Sequence, residues 1–421
     1  MPDSSPRRSR VALVLAGGAA RGAYEAGVVE YLLEELPRDL GRDVPLDVLC
    51  GTSVGAINVC ALAAFADEPR GRAARLVRAW TGLQISEIVR PDAREVLSLL
   101  LAFLGRGSET KGKPTRRRGG VLRAEPLETL LAKAIPFERI DDQFAAGRIH
   151  GLSISTTHVA SGRTIVFVQR AQGGLPAWNA DATIRPRAAR IRAQHALASA
   201  AIPFLFPAVE IDGQYYCDGG LRQNVPLSPA RRLGADGLVV VNPRFIRREA
   251  PTQDAAIDRE QSFPGPLFLL GKALNAILLD RIDSDIDRLE RINRILDAGS
   301  RRYGPGFVDA LNEELGDDPI RGMRPLRAVL IRASQDIGHL SAEYVRSPLF
   351  AKRATGVAGR VLRRLAEGEG KSEADLLSYL LFDGEFAGRL IELGRADARG
   401  RHDELCAFFD SIGAGAAEVK G

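Results

Sequence analysis

The sequence has few histidines, few cysteines and no long apolar run. Five histidines among 421 residues leave few candidates for a mechanism that needs an imidazole. The four cysteines lack CxxC and zinc-finger spacing, so neither a metal site nor a disulfide framework is predicted. No run of about 18 apolar residues occurs, which argues against a transmembrane helix, and the polar start lacks the pattern of a signal peptide. We therefore expect a cytoplasmic protein that contacts a membrane at most peripherally.

Charge of neither sign dominates the composition. The sequence has 58 lysines and arginines against 53 aspartates and glutamates, which leaves a net charge of +5. The basic residues concentrate at 106–123 and at Arg185, Arg187, Arg190 and Arg192. The first cluster has no interleaved aromatic residues, and neither belongs to a recognisable nucleic-acid module, so no nucleic-acid partner is predicted.

The basic segment 106–123 follows an apolar stretch, Val96–Leu104. Its glycines and like charges are typical of a mobile, solvated loop. Leucines beside a basic segment are also compatible with contact to an anionic membrane surface, or with a lid over a cleft. These three interpretations remain open at the level of the sequence.

Apolar runs and helical spacing alternate in the first 65 residues. Val11–Ala16 and Leu46–Cys50 have the composition of buried strands, and Tyr24–Leu36 and Ala56–Phe65 have the spacing of helices. Strands that alternate with helices indicate a parallel sheet. The predicted fold class is therefore α/β, a three-layer α/β/α arrangement with a mainly parallel sheet.

Later segments extend this pattern. Leu152–Thr157 and Thr164–Val168 predict a hairpin, because Ala160-Ser-Gly162 between them is a turn signal. We also predict strands at Leu238–Asn242 and Arg327–Ile331, a helix at Leu278–Leu296, and only helices from residue 351 onward.

The segment Gly51-Thr-Ser-Val-Gly55 lies between a predicted strand and a predicted helix. A G-x-S-x-G pattern in this context places its serine on a sharp turn, exposed at the carboxyl end of the sheet. The helix that follows favours negative charge beside that serine. Ser53 is therefore the candidate nucleophile, and a tight turn with a capping serine is the alternative.

Two further segments are rich in glycine. Asp218-Gly219-Gly220 can present a carboxylate to a cleft, although a plain Asp-Gly hairpin turn has the same sequence. Gly17-Gly18-Ala19 follows the first strand and can direct backbone N–H groups at an anion. A dinucleotide fingerprint fits this segment badly, because Ala19 stands where the middle glycine belongs.

Together, these segments resemble the patatin-like phospholipase family. Four blocks match in order within Val11–Asn242, and they are Gly17–Gly22, Gly51–Gly55, Ala198–Pro203 and Asp218–Gly220. Ala19 departs from the pattern, in which a third glycine is common. We expect an oxyanion hole to survive this change if the backbone at Ala19 does not need a positive φ angle.

The resemblance implies serine-dependent hydrolysis of acyl esters by a Ser–Asp dyad. It makes Ser53 the nucleophile and Asp218 its base, with backbone N–H groups of Gly17, Gly18 and Ala19 as the oxyanion hole. An aspartate can act as this base if desolvation raises its pKa. The residues that the motifs add in support are Arg21, Gly22, Gly51, Gly55, Gly219 and Gly220. Arg21 orients the loop or meets a lipid phosphate.

The implied substrates are phospholipids or other acyl esters, with no metal, calcium or organic cofactor. We expect a patatin-like catalytic domain over 9–345 and a helical extension over 346–421.

Two other functions remain open. Ser53, Asp218 and His339 or His402 follow the chain order of a Ser–Asp–His triad. The scaffold could also bind a lipid or a partner without catalysis.

Overall fold

The computed structural model of the chain describes residues 9–85, 122–171, 174–175, 183–246, 282–315, 322–353, 359, 362–363 and 377–414. The predicted apolar stretch Val96–Leu104 lies outside these residues, as does nearly all of the basic segment 106–123. Among the helices of the described ranges, none has both the length and the apolar content that crossing a membrane requires.

One mostly parallel sheet forms the middle of the fold. Its strands are β1 (Val11–Leu15), β2 (Val48–Thr52), β3 (Gly151–His158), β4 (Thr164–Arg170), β5 (Ile184–Ala188), β6 (Val209–Ile211), β7 (Gln214–Asp218), β8 (Gly237–Asn242) and β9 (Arg327–Arg332). Their order is β5-β4-β3-β2-β1-β8-β9, and β3, β2, β1, β8 and β9 are mutually parallel. The β6–β7 hairpin joins β3 in antiparallel pairing.

Helices cover both faces of this sheet. They are α1 (Gly22–Glu30), α2 (Leu36–Leu40), α3 (Val54–Ala64), α4 (Gly71–Thr81), α5 (Glu125–Ala134), α6 (Arg139–Ala145), α7 (Ala193–Ser199), α8 (Leu227–Arg232), α9 (Ile282–Tyr303), α10 (Phe307–Glu314), α11 (Ile337–Arg346), α12 (Pro348–Arg353), α13 (Gly384–Arg399) and α14 (His402–Ala414). Successive strand residues enter opposite cores: Leu13 belongs to the core that contains Val59 of α3, and Val14 belongs to the core that contains Ala230 of α8. The predicted three-layer α/β fold is confirmed.

Most of the predicted elements are present. The first two strands, the β3–β4 hairpin, β8 and β9 lie where the apolar runs place them. The helix predicted at Leu278–Leu296 is α9, whose described part begins at Ile282 and continues to Tyr303. The strands β5, β6 and β7 were not predicted, because polar residues interrupt each of them.

The first predicted helix differs from expectation at its end. Tyr24–Leu36 was expected to stop before Pro37, but a π-helical stretch at Tyr31–Glu35 leads into α2, which contains that proline. Pro37 lies in the first turn of α2, where a missing backbone N–H costs little. The chain turns at Gly41 instead, which adopts a left-handed conformation.

The C-terminal helices pack onto the beginning of the chain. α13 lies against α1 so closely that a Cβ atom at Gly27 or Gly394 would overlap the backbone of the opposite helix. Tyr24 of α1 also donates a hydrogen bond to Asp397 of α13, at 3.0 Å. The helices after residue 377 therefore share the main core with the first helix.

Candidate active site

Ser53 occupies a strained turn between β2 and α3. Its φ of 55° and ψ of −125° lie outside the region that L-residues favour. The glycines on either side make the turn possible: a Cβ at Gly51 would overlap the backbone at Gly55, and one at Gly55 would overlap the carbonyl of Leu15. The sequence motif thus produces the sharp strand-to-helix turn that it predicts.

Asp218 meets the side chain of Ser53 at the end of β7. The Ser53 hydroxyl donates to Oδ2 of Asp218 at 2.6 Å, and the backbone N–H of Gly220 donates to Oδ1 at 2.7 Å. Gly219 leaves no room for a Cβ because the backbone of Ser155 lies against it. The Asp-Gly-Gly segment is a 3-10 turn after a strand and not a hairpin turn.

Burial dominates the acidity of Asp218. Only 1% of this residue is exposed, and desolvation raises the pKa of its carboxyl to about 7, while the hydrogen bonds from Ser53 and Gly220 oppose the rise. Near neutral pH the carboxylate and the acid are therefore both populated. Such a group can accept a proton and return it.

Ser199 fixes the backbone of the turn. Its hydroxyl accepts a hydrogen bond from the Ser53 N–H at 2.8 Å and donates to the carbonyl of Ser155 at 2.7 Å. Ser199 is fully buried at the end of α7, within the Ala198–Pro203 block. The sequence marked this block without giving it a task, and the structure shows that it supports Ser53.

The glycine-rich segment lies beside Ser53, with Asn224 against it. A Cβ at Gly17 would be 3.1 Å from the Cβ of Ser53. The N–H of Gly17 is engaged, because it donates to Oδ1 of Asn224 at 3.0 Å and to the Asn224 carbonyl at 3.2 Å. Of the three backbone donors named from the sequence, Gly17 is therefore already bonded within the protein. Asn224 itself was missed, since no motif marks it.

A comparison of the sequence with models of protein families found a match that includes these segments. The model described as Patatin-like phospholipase matches residues 13–231, a little over half of the chain. The chain belongs to the patatin-like phospholipase family. The matched range of this patatin-like chain includes Ser53, Ser199, Asp218 and Asn224, and membership supports a lipid hydrolase function.

Two solved structures align with the patatin-like chain. One is VipD from Legionella pneumophila, with 12% identity, coverage of 92% of this chain and 67% of that chain, and a TM-score of 0.29. The other is the ExoU–SpcU complex of the type III secretion system of Pseudomonas aeruginosa, with 18% identity, coverage of 88% and 69%, and a TM-score of 0.24. A search of curated proteins found no match.

Ala19 of the patatin-like motif does adopt a positive φ, of 48°. The condition that we set for an undisturbed oxyanion hole is therefore not met, because a Cβ is strained in this region.

We expect Ala19→Gly to raise the free energy of unfolding by about 1 kcal/mol, measured by urea denaturation. Its control is Ala20→Gly, in the same helical turn without a positive φ, which should destabilise. Equal effects at both positions would contradict the assignment of strain to Ala19.

Arg21 of the same motif points into the protein. Its Nε donates to the hydroxyl of Ser378 at 2.8 Å, and its guanidinium lies 4.2 Å from the centre of the Tyr379 ring. Arg21 is 7% exposed. Of the two roles that the sequence left open, these contacts favour orienting the loop over meeting a lipid phosphate. Gly22 is the next residue. A Cβ atom at Gly22 would overlap the side chain of Val54, so the glycine leaves room for that side chain.

The two histidines of the alternative triad contact other groups. His402 shares a 2.7 Å hydrogen bond with the hydroxyl of Tyr31, and the exposed His339 lies in the first turn of α11. Among the described residues, no hydrogen bond joins either histidine to Ser53 or Asp218.

Two of the four arginines of the basic cluster at 185–192 form ion pairs with acids. Arg187 contacts Asp212 at 2.7 Å and donates to the hydroxyl of Tyr216, while Arg192 pairs with Asp141 at 2.5 Å. These two guanidinium groups therefore stabilise the sheet edge and its neighbouring helix.

Proposed function

We propose that this patatin-like chain hydrolyses lipid acyl esters, of phospholipase A or esterase type, with Ser53 as nucleophile and Asp218 as its base. The observation that carries the proposal is the direct hydrogen bond of 2.6 Å between the Ser53 hydroxyl and the buried Asp218 carboxylate. A base within hydrogen-bond reach is the first requirement for activating a serine.

The reaction begins when Ser53 Oγ attacks the ester carbonyl and its proton passes to Asp218. The tetrahedral oxyanion collapses, the alkoxide leaves with the proton from Asp218, and an acyl-serine remains. Water then attacks the acyl-serine, giving its proton to Asp218 as it does so. When the second tetrahedral intermediate collapses, Asp218 returns that proton to Ser53, and the free acid is released.

In this scheme the backbone N–H groups of Gly18 and Ala19 stabilise the oxyanion, because the positive φ of Ala19 strains the backbone without removing its N–H. Gly17 has a supporting role, since Asn224 holds its N–H and, through Nδ2 at 3.4 Å, its carbonyl. Fixed donors of this kind stabilise charge that develops in the transition state without a cost of reorganisation.

The triad and the non-catalytic scaffold have weaker support. Asp218 Oδ2 is occupied by Ser53 itself, which leaves no place for a histidine between the two side chains. The raised pKa of Asp218 serves a base and has no use in a site that only binds.

The pH dependence of kcat/KM tests the proposal. We expect fatty-acid release from phospholipids, acylglycerols or short esters to rise with pH through a midpoint near 7, because Asp218 must be ionised to act as a base. The midpoint should barely change with temperature, since carboxyl ionisation, unlike imidazole ionisation, has little enthalpy. His339→Ala and His402→Ala should keep the same profile. Loss of activity in either variant would support the triad, and no release from any ester would support the binding scaffold.

We also propose that 9–345 acts as the catalytic domain and 346–421 as its helical extension. The bond between Arg21 and Ser378 supports a direct link between the extension and the glycine-rich loop. Contact of 106–123 with an anionic membrane remains a hypothesis, and binding to anionic vesicles after deletion of Lys111–Arg118 is its test.

A further inference from the structure

A mainly apolar cavity of about 150 Å³ lies among the helices on one face of the sheet. It lies between α3, α4 and α5, and its first lining residue, Val54, directly follows Ser53. Concave sites with mainly aliphatic and aromatic walls and a few polar groups are the usual binding sites for apolar ligands. The side chains that line it are Val54, Ile57, Asn58, Ala61, Phe65, Arg72, Arg75, Leu76, Ala79, Trp80, Leu83, Leu127, Leu130, Leu131, Ala134, Ile135 and Phe382.

The cavity follows the length of α3. Val54, Ile57, Ala61 and Phe65 recur at helical spacing, so they form one stripe. From Val54 to Phe65 the helix rises about 16 Å, at about 1.5 Å per residue. The cavity therefore leads away from Ser53 along a path that suits an extended chain.

The half-buried Phe65 and two partly exposed arginines mark the end of the cavity farthest from Val54. The guanidinium groups of Arg75 and Arg139 lie 4.6 and 4.9 Å from the centre of the Phe65 ring. Each also has an acidic partner: Arg75 bonds Glu68 at 2.7 Å, and Arg139 bonds Asp67 at 2.6 Å. These two charges are satisfied without a ligand.

Arg72 at the same end is not satisfied. It lines the cavity and is 6% exposed, and its Nε is enclosed without a hydrogen-bond partner among the described residues. Burial lowers the pKa of Arg72 to about 10, and the charge of Asp47 opposes this shift. The guanidinium is still charged at neutral pH, and a buried unpaired charge is costly. A ligand carboxylate would remove that cost.

We propose that this cavity binds the acyl chain of the substrate and that Arg72 selects chains that end in a carboxylate. The inference rests on the proposed function, because it places the ester carbonyl at Ser53 and the far end of the chain at Arg72. The first turn of α4, which contains Arg72, also favours an anion. The eight residues from Trp80 back to Arg72 rise about 12 Å, so the chain must be of medium length.

The test compares p-nitrophenyl esters of linear acids with esters of the same length that carry a terminal carboxylate. Acyl chains of about six to about twelve carbons bracket the ~12 Å between the two ends of the cavity. Arg72→Met keeps the apolar stem and removes the charge. We expect it to lower kcat/KM for the best carboxylate-ended ester about 10- to 100-fold, the range of a charge-assisted hydrogen bond, and to spare the neutral ester. Arg75→Met is the matched control, since Arg75 lines the same cavity but is paired, and it should leave the ratio unchanged.

Three outcomes separate the inference from the proposed function. If wild type prefers the neutral ester at every length, or if Arg72→Met lowers both rates equally, the inference is wrong although the esterase stands. If no ester is hydrolysed, the proposed function is wrong, and calorimetry of Ser53→Ala with both ester series decides on the cavity. If Ser53→Ala binds the carboxylate-ended esters more tightly than the neutral ones, and the double variant Ser53→Ala with Arg72→Met does not, the proposed role of Arg72 is supported. Equal binding of the two series by Ser53→Ala would overturn it. If Arg72→Met does not fold, the ester preference of wild type and the Ser53→Ala binding data decide alone.

Discussion

Ser53→Ala is expected to lower ester hydrolysis by at least about 10³-fold, because the variant cannot form an acyl-serine. The residual rate would come from the remaining oxyanion donors and from substrate binding alone. Fatty-acid release from the best wild-type substrate, measured at several enzyme concentrations, gives the ratio. Mass spectrometry of wild type quenched during turnover should show the acyl group on the peptide that contains Ser53.

The control for this variant is Ser153→Ala. Ser153 is a fully buried serine on the neighbouring strand β3, and its removal tests the loss of a buried hydroxyl without touching Ser53. We expect near wild-type rates from it. Activity retained in Ser53→Ala, or an equal loss in both variants, would show that Ser53 is not the nucleophile.

Local patterns were enough to predict the centre of the fold and the turn at Ser53, whereas Asp218 was named only through the family resemblance. The strand, turn and helix around Ser53 depend on neighbouring residues, namely an apolar run, two glycines and a helical stripe. Such features are readable because the residues that cause them are adjacent in the sequence.

The supporting contacts could not be predicted, because their partners are distant in the sequence. Ser199 lies 146 residues from Ser53, and Asn224 lies 207 residues from Gly17. A buried hydrogen bond leaves no periodic signal in either segment. Arg21 illustrates the same limit: its two roles became distinguishable only through Ser378, 357 residues away, within the helical extension. The strand β7 was not predicted, because polar residues at its ends mask the pattern around the buried Tyr216.

Asp218→Asn is expected to lower kcat about 10²- to 10⁴-fold, the usual contribution of a general base. The amide fills nearly the same volume and can still contact Ser53, but it cannot accept the proton of the attacking hydroxyl. The rise of the remaining activity through pH 7 should also disappear, since the group that titrates there is gone. A variant with a substantial rate and an unchanged midpoint near 7 would show that another group is the base.

The same substitution should stabilise the protein, which separates loss of chemistry from loss of fold. The pKa of Asp218 is raised from its ordinary value of 3.8 to about 7 by burial, so the folded state holds a proton that the unfolded state releases. Wild-type stability therefore falls as pH rises from about 4 to about 7, and the full cost of the buried charge is present above that range.

Asparagine carries no such charge. We expect Asp218→Asn to exceed wild type in free energy of unfolding by a few kcal/mol at about pH 8, with the difference shrinking toward about pH 4. Denaturant titrations at both pH values measure it, and a constant difference would mean that Asp218 is not buried as an acid. A catalytic carboxylate placed in this way lowers the stability of the fold that holds it, because burial gives Asp218 its basicity and also makes its charge costly.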